Sequence, residues 1–352
     1  MNQNKLLAEA LIFGDCHFGR ENVNDTIINW NEAISICEAN NIKTILFAGD
    51  LVLSRAAQTL EILLAVHDVL KSCLDRGIQV IMINGNHCKV NQESPRGYCN
   101  VFDSFTNVRI ISEWGEVKIN HKVGIGMISY FPEGGSFQNK LESLEDYMFE
   151  KTKYDKMILV IHEGIRGGLS ESTDKELPAN LFDQWDKVLV GHYHNRTKIK
   201  GTNIEYIGSS RQHNFGEDEE KGYTILYSDG SHKFVKNEVN VRYKVIDVPF
   251  EKVNINLYDL LNKTKADGRY KTKVRIHCLT SQASSINKQK LIESGANKVE
   301  IITEDIEEVN VSRSSLFEKF DNKQIKKTYE DFCEEKEIAD ASLGLSYLSK
   351  ID

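Results

Sequence analysis

Five short and almost continuously apolar runs mark the first two thirds of the chain. They are LIF (11–13), TILFA (44–48), QVIMI (79–83), MILVI (157–161) and KVLVG (187–191). Apolar runs of this length indicate strands that are covered on both faces. Between the first three runs, residues 24–39 and 56–75 carry apolar side chains at three- and four-residue spacing, which predicts helices. The resulting βαβαβ order predicts parallel strands.

Later segments are shorter and are separated by tight turns. TKIKG (197–201), IEYIG (204–208), GYTILYS (222–228) and HKFVKNE (232–238) are typical of hairpin strands. We therefore expect an α/β fold for residues 1–240, either one mixed sheet or a two-sheet sandwich, with helices outside. Residues 248–305 predict a small β-α-β unit, and the locally acidic residues 306–352 predict a helical segment.

Composition narrows the class of protein only a little. Of the 352 residues 40% are hydrophobic and 27% charged, as in ordinary soluble globular proteins. The N-terminal pattern predicts no signal peptide, and no apolar run approaches a membrane span. Seven cysteines without a C-x-x-C pair favour reduced thiols in the cytoplasm. The net charge of −8 disfavours polyanion binding through bulk charge, although bound divalent cations can invert a local field.

The five apolar runs all end in side chains that can bind a metal or transfer a proton. In chain order these are Asp15 and His17, then Asp50, then Asn86 and His87, then His162, and finally His192 and His194. One Gly-Asp turn or one buried histidine is usually structural. Here all five predicted strands end in such side chains, and open α/β sheets form their sites at these strand ends. The repeated pattern therefore favours a functional centre.

The ligand types indicate the kind of metal. Carboxylate and amide oxygens mixed with imidazole, without thiolate, suit manganese, iron or zinc better than a structural zinc site. Seven such ligands exceed the needs of one ion. Two ions ~3.5–4 Å apart, sharing one carboxylate, would use them and would activate a water for attack on a phosphoryl group.

In the order D-x-H, G-D, G-N-H, H and G-H-x-H, these residues resemble the calcineurin-like metallophosphoesterase family over about residues 10–230. The resemblance implies a mixed-sheet β-sandwich flanked by helices and two divalent metal ions, manganese first, with magnesium, iron or zinc as alternatives. It implies one metal on Asp15, His17, Asp50 and His194, and a second on Asp50, Asn86, His162 and His192. His87 would face the scissile phosphate as general acid or charge stabiliser.

A narrower likeness lies in IEYIGSSRQHNFGEDEEKGYTIL (204–226), which is similar to the SbcD-type branch of recombination and repair nucleases. This resemblance implies a DNA nuclease with exonuclease or endonuclease activity that cleaves phosphodiesters by metal-activated water. It also implies a capping domain at 248–305, a C-terminal segment at 306–352 that binds an SbcC-type ATPase, and a homodimer. The DNA contacts that we expect near the motifs are Arg20, Arg55, Lys89, Arg96, Arg166, Arg196 and Arg211.

Two positions depart from the family pattern. Cys88 stands where the family commonly has an aspartate that supports the catalytic histidine, and Leu53 stands where nuclease relatives often have a second histidine. A thiol orients a histidine poorly, so we expect His87 to be held differently. Two alternatives stay open: a phosphoesterase for small molecules or phosphoproteins, and a catalytically weakened DNA-end-binding subunit.

Overall fold

The computed structural model describes residues 6–169, 173, 175–303 and the isolated positions 329, 333, 342 and 345. Apart from those four positions, the predicted C-terminal segment 306–352 lies outside the described residues. No helix in the described part of the chain is long and apolar enough to cross a bilayer.

The elements alternate as the apolar pattern predicts. The strands are β1 (Ala8–Phe13), β2 (Thr44–Phe47), β3 (Gln79–Ile83), β4 (Val108–Ile111), β5 (Trp114–Lys118), β6 (Val123–Ile128), β7 (Lys156–His162), β8 (Lys187–Gly191), β9 (Thr197–Lys198), β10 (Ile204–Tyr206), β11 (Gly222–Tyr227), β12 (His232–Lys236), β13 (Arg242–Pro249), β14 (Tyr270–Cys278) and β15 (Lys298–Thr303). The α-helices are α1 (Val23–Asn40), α2 (Leu60–Asp75), α3 (Phe137–Lys151), α4 (Ile255–Asp267), α5 (Thr280–Ala283) and α6 (Lys288–Glu293).

The strands form two mixed six-stranded sheets and one smaller sheet. The first sheet has the order β12-β11-β1-β2-β3-β4, with β1 to β4 parallel and β11 and β12 antiparallel. The second has the order β5-β6-β7-β8-β10-β9, with β6, β7, β8 and β10 parallel. Strands β13, β14 and β15 form the third sheet, in which β13 and β14 are parallel.

Alternating side chains build a sandwich between the two large sheets. On β1, Leu11 and Phe13 point to one face, where they join a core with α1 and α2, since side chains alternate along a strand. Ala10 and Ile12 point to the other face and join a core with residues of β6, β7 and β8. A third core lies between the second sheet and α3. The predicted mixed two-sheet sandwich with helices outside is therefore confirmed.

Two details differ from the expected elements. Helix α2 begins at Leu60 instead of residue 56, because the preceding Thr59 has an extended backbone. The small unit contains a further helix, α4, and its first strand begins at Arg242. The domain boundaries at 240, 248 and 305 stay a prediction.

Candidate metal centre

The predicted site residues meet at one edge of the sandwich. Asp15 and Asp50 follow the ends of β1 and β2, and Asn86 follows the end of β3. His162 is the last residue of β7, and His192 directly follows β8. Because these five strands are parallel within their sheets, their carboxyl ends carry the side chains to a common place.

Unusual backbone conformations accompany these side chains. Five described non-glycine residues have a positive φ: Asp15 (51°), His17 (48°), Asp50 (52°), His192 (89°) and Asn41 (55°). Asn41 ends helix α1, which is a common place for this conformation. The other four are predicted metal ligands, and such strained conformations concentrate at functional sites.

One group of atoms surrounds the Nε2 atom of His17. It lies 3.1 Å from Nε2 of His194, 3.6 Å from Oδ2 of Asp50 and 4.0 Å from Oδ1 of Asp15. Nε2 of His194 also lies 3.8 Å from Oδ1 of Asp15. This first group contains the four residues that the resemblance assigns to one metal.

A second group surrounds the side chain of Asn86. Its Oδ1 atom lies 3.1 Å from Nε2 of His162 and 3.3 Å from Nδ1 of His192. Nε2 of His162 is 3.3 Å from Oδ2 of Asp50. The same carboxylate oxygen of Asp50 thus approaches both groups, as a bridging ligand must.

Neighbouring groups aim the ring nitrogens toward the centre. Nδ1 of His162 lies 2.9 Å from the carbonyl oxygen of Ala48, and a carbonyl can only accept, so Nδ1 carries a proton and Nε2 faces Asp50. Nδ1 of His194 lies 2.8 Å from Oε1 of Glu217. Partners of this kind on the outer nitrogen are usual for metal-binding histidines.

The protonation of the buried groups fits cation binding. Burial lowers the pKa of His17 and of His192 to about 3, so both rings are neutral and offer lone pairs. Burial would also lower the pKa of His162, but the charges of Asp50 and Asp15 raise it to about 10. Burial would raise the pKa of Asp50, yet the charge of His162 holds that pKa well below its ordinary value. The proton on His162 therefore balances charge that a divalent cation would neutralise.

The types of side chain around the Asn86 amide are the observation on which this fit rests. Hydrogen bonding alone favours the amide turned by 180°, in which its nitrogen donates to Oδ2 of Asp50 (3.2 Å) and its oxygen accepts from Arg55. Instead, Oδ1 points at the ring nitrogens of His162 and His192. An amide oxygen that lies 3.1 and 3.3 Å from two imidazole nitrogens, one of which is 3.3 Å from a carboxylate oxygen, is the arrangement of ligands that share one ion, since each ligand atom lies ~2.0–2.2 Å from the ion. The residues present fit two divalent cations.

His87 lies at the border of the first group. Its backbone N–H donates to Oδ1 of Asp50 at 2.8 Å, and its Nδ1 lies 2.6 Å from the carbonyl oxygen of Leu53. The half-buried ring lines a cavity beside the centre. Single atoms of His87, His17 and Asp50 lie close enough together to bind one ion, so the geometry allows His87 to be a ligand or a catalytic group.

The two departures from the family pattern have a structural explanation. The Leu53 carbonyl accepts the Nδ1 proton of His87, which fixes the ring without an aspartate. Cys88 is buried, and its Sγ accepts from the Leu51 N–H at 3.3 Å and lies 3.8 Å from Sγ of Cys99. The thiol belongs to the core, and the backbone at position 53 orients His87.

Gly85 is required for space. Its φ of −88° and ψ of 179° are open to any residue, so the backbone conformation does not require a glycine. A Cβ atom at Gly85 would lie 2.2 Å from Oδ1 of Asp50. The Asp50 carboxylate thus packs directly against the glycine.

Two further residues belong to the centre and were not among the predicted site residues. His213 donates from Nε2 to the backbone oxygen of Asp15 at 2.7 Å, and its ring lies 4.8 Å from that of His194. Glu217 binds His194 and also accepts from the His213 N–H at 3.0 Å. The Phe-Gly-Glu motif in residues 215–217 was a signal for Glu217, whereas His213 follows no predicted strand.

Three of the predicted DNA contacts lie near the centre. Arg55 is exposed and its guanidinium reaches the Asn86 amide. Arg20, which is exposed, and Arg211, which is buried, both line a cavity of about 660 Å³ that adjoins the centre.

Two other predicted contacts do not fit the structure. Lys89 is fully buried, its ammonium binds the Tyr130 carbonyl oxygen, and it lies 3.6 Å from the ring centre of Phe131. Arg196 is paired with Glu205. Both cations already have intramolecular partners, so neither is available to a phosphate backbone.

The remaining two predicted contacts are exposed but lie outside this cavity. Arg96 is 3.8 Å from the carboxylate of Asp103. Arg166 lines a separate cavity that also contains Glu133 and Glu176. Their role as DNA contacts stays a prediction.

Three curated relatives are similar to this chain. The SbcD component of the nuclease SbcCD from Staphylococcus saprophyticus is 27% identical over 179 residues, 44% of this chain and 46% of the relative. The putative phosphoesterase 244L of Invertebrate iridescent virus 6 is 27% identical over 221 residues, 59% of this chain and 72% of the relative. The DNA double-strand break repair protein Mre11 of Haloferax volcanii is 25% identical over 256 residues, 69% of this chain and 54% of the relative.

The chain thus spans about half the length of two of these relatives. The profile of the calcineurin-like phosphoesterase family matches residues 9–196, more than half of the chain. The matched range contains all seven predicted ligands and both atom groups of the centre. The chain belongs to the calcineurin-like phosphoesterase family, which is a family of dimetal-dependent enzymes.

Proposed function

We propose that this protein is a dimetal DNA nuclease that hydrolyses phosphodiester bonds. The observation that carries the proposal is the convergence of two ligand groups on Oδ2 of Asp50, beside a cavity lined by His87 and by basic side chains. Two relatives whose names describe a nuclease and a DNA double-strand break repair protein support DNA as the substrate. We propose manganese as the metal, with magnesium, iron or zinc as alternatives.

Two sets of residues would each hold one of the two cations. Asp15, His17, Asp50 and His194 would hold one cation, and Asp50, Asn86, His162 and His192 the other. Bound divalent cations supply an activated water and stabilise the charge that develops on phosphoryl oxygens.

His87 would act on the substrate itself. The Leu53 carbonyl holds the proton of its Nδ1, so Nε2 is the atom left to face the phosphodiester. When the ring carries a second proton on Nε2, as imidazolium, it can donate a hydrogen bond to a phosphoryl oxygen or give that proton to the leaving oxygen. General acid catalysis of this kind contributes roughly 10²–10⁴-fold to a rate.

A cleavage assay tests the proposal. The substrates are 3′- and 5′-labelled duplex DNA and circular single-stranded DNA, with Mn²⁺ and with EDTA. We expect Mn²⁺-dependent cleavage by the wild type and none by Asp50→Ala. Cleavage that persists in Asp50→Ala, or hydrolysis of nucleotides or phosphopeptides without cleavage of DNA, contradicts the proposal.

Two histidine variants, one of them a control, distinguish a catalytic role of His87 from a role in metal binding. His87→Asn should lower kcat by about 100-fold or more and still bind two metal ions. His67→Asn is the matched control, because His67 is an exposed histidine on α2 whose contacts are with Asp68 and the Phe105 ring, away from the residues of the centre. If His87→Asn loses one bound ion, His87 is a ligand instead.

The proposed partners are an SbcC-type ATPase and a second copy of this chain. The ATPase would bind residues 306–352, which the sequence predicts as helical. Removal of these residues should abolish co-purification of the ATPase and leave the basal Mn²⁺-dependent cleavage unchanged; retained co-purification contradicts this assignment. We also propose a cytoplasmic location, which the seven free, buried cysteines support.

A further inference from the structure

The cavity beside the metal centre has a second wall that the family motifs do not include. Residues of the centre, including His17, His87 and His194, line part of it. Tyr243 of β13 and Lys271 of β14 also line it. The volume of about 660 Å³ lies within the range of pockets that hold a small organic group, such as one nucleotide.

Tyr243 is fixed in this wall by the loop that follows β10. The buried Gln212 accepts from the Tyr243 N–H at 2.8 Å and donates to the Tyr243 carbonyl oxygen at 3.0 Å. Phe215 packs edge-on against the Tyr243 ring, with ring centres 5.1 Å apart. The half-buried Tyr243 ring is thereby held in place at the cavity, ready to stack with little loss of side-chain entropy.

Lys271 completes an aromatic and cationic pair. Tyr243 and Lys271 are direct register partners on the parallel strands β13 and β14. The ammonium of Lys271 lies 3.4 Å from the Tyr243 hydroxyl and 5.3 Å from the ring centre. Proteins that bind single strands combine a stacking ring and a nearby cation in this way.

Arg211 gives independent evidence for an anionic ligand. Its side chain is buried and lines the cavity, and its Nε atom has no hydrogen-bond partner in the described structure. Its terminal nitrogens donate only to the carbonyl oxygens of Cys16 (3.3 Å) and Gln212 (3.5 Å). Among the described residues no carboxylate is within ion-pair distance of it. A buried guanidinium without a carboxylate is costly, and a phosphate would supply the missing charge.

The remaining charges limit how much nucleic acid the cavity can bind. Arg20 adds a cation, but Glu21 and Asp25 line the same cavity and would repel a continuous row of phosphates. A duplex bound through bulk charge does not match this lining. A single nucleotide, bound through its base and one phosphate, does.

We propose that Tyr243, Lys271 and Arg211 bind one unpaired nucleotide of a DNA strand next to the scissile phosphodiester. The base stacks on Tyr243, and its phosphate contacts Arg211 and Lys271. That the strand is DNA rests on the proposed function. The stacking and the phosphate contacts rest on the residues that line the cavity. The third sheet thus selects unpaired strands.

The same strands provide a matched control on their opposite face. Lys244 lies 5.8 Å above the ring of Tyr270, so this pair repeats the chemistry of Lys271 and Tyr243. Side chains of adjacent residues point to opposite faces of a sheet, and neither Lys244 nor Tyr270 lines the cavity. Tyr270→Ala and Lys244→Met therefore control for stability and for general charge.

The test is fluorescence anisotropy of a short labelled oligothymidylate, with Ca²⁺ in place of Mn²⁺ so that no cleavage occurs. Tyr243→Ala should weaken binding about tenfold, whereas Tyr243→Phe and Tyr270→Ala should bind like the wild type. An abasic oligonucleotide should bind equally to Tyr243→Ala and to the wild type. Lys271→Met should lower the slope of log affinity against log salt by about one, and Lys244→Met should not.

Unchanged oligothymidylate binding by a folded Tyr243→Ala protein overturns the inference. An equal loss in Tyr270→Ala, or an equal loss with the abasic oligonucleotide, overturns it as well. The melting temperature of each variant shows whether it is folded. The Tyr243→Phe protein keeps the aromatic ring and shows that a substitution at this position can preserve binding. A wild type that binds through Tyr243 but does not cleave DNA with Mn²⁺ overturns the proposed function alone.

Discussion

At the scale of single residues, the carboxylate of Asp50 connects the two groups of side chains in the centre. It approaches the first ligand group through His17 and the second through His162, at 3.6 and 3.3 Å. Its other oxygen accepts from the His87 N–H, and Gly85 leaves the space in which it packs. Any displacement of this side chain therefore changes both ligand groups at once.

Gly85→Ala should displace Asp50, because the new Cβ would lie 2.2 Å from Oδ1 and 2.4 Å from the backbone nitrogen of Asp50. We expect the affinity for Mn²⁺ to fall by about 10- to 100-fold or more. Isothermal titration measures the affinity. Gly134→Ala is the control, since a Cβ there meets nothing within 4 Å and the affinity should not change. Wild-type affinity in Gly85→Ala would show that the carboxylate is not confined by the glycine.

Cys88→Ala should leave kcat within about threefold of the wild type, because the Leu53 carbonyl and not the thiol holds His87. The variant should lose about 1–2 kcal/mol of stability, since the buried thiol packs against Cys99 and accepts from the Leu51 N–H. Steady-state kinetics and urea unfolding measure the two effects. A fall in kcat of more than about tenfold at unchanged KM would assign the orienting role to Cys88.

The sequence predicted which side chains meet at the centre but not the surroundings of these side chains. Asp15, His17 and Asp50 could be predicted because they follow apolar runs at a spacing that places them at strand ends. The left-handed backbone of these three residues could not, since nothing in their identity requires it. His213 reaches Asp15 across 198 positions of the chain, and such a contact depends on the packing of two loops.

At the scale of secondary-structure elements, the continuously apolar strands and the short hairpin strands β9 to β12 were predicted, whereas β4, β5 and β6 were not. Strand β6 reads VGIGMI, and its glycines weaken the strand pattern. In the fold, Gly126 makes room for Leu144 and Trp185, to which a Cβ would come within 2.7 Å. This reason for a glycine exists only once α3 has packed on the second sheet.

A half-buried carboxylate joins the two large sheets at one edge. Glu205 of β10 lies 2.7 Å from the ammonium of Lys187 on β8 and 3.1 Å from Nε2 of His232 on β12, and it also pairs with Arg196. Because β12 belongs to the first sheet and β8 and β10 to the second, these bonds connect the sheets. Burial would raise the pKa of Glu205, but hydrogen bonds from His232 and Lys187 hold it well below its ordinary value.

Glu205→Gln should therefore lower the free energy of unfolding by about 1–2 kcal/mol at pH 7. Since the pKa of Glu205 is lower in the folded chain, its ionised form stabilises the fold above the ordinary value of 4.5. This contribution is lost as the pH falls through the folded value. The difference between the variant and the wild type should shrink below pH 4.5, as measured by urea unfolding at several pH values.

Glu220→Gln is the matched control for this prediction. Glu220 forms a surface pair with Lys236 at 2.8 Å, and its side chain is 60% exposed. Surface pairs contribute about 0–1 kcal/mol, so the control should change little. Equal losses in both variants, or a loss in Glu205→Gln that does not depend on pH, would contradict a stabilising role of the ionised Glu205 side chain.

At the scale of the whole molecule, the centre forms because the two large sheets stack with the carboxyl ends of their parallel strands at the same edge of the sandwich. The first sheet supplies Asp15, Asp50 and Asn86, and the second supplies His162 and His192. Neither sheet alone carries enough ligands for two cations. The third sheet adds Tyr243 and Lys271 at the cavity, which links the proposed strand selection to the same site.

Anomalous diffraction at the manganese edge, from crystals soaked in Mn²⁺, tests the proposed centre most directly. The predicted result is two peaks about 3.5–4 Å apart, one beside His17 and His194 and the other beside His162 and His192, with Asp50 between them. A single peak, or manganese bound away from Asp50, would contradict the two-cation centre.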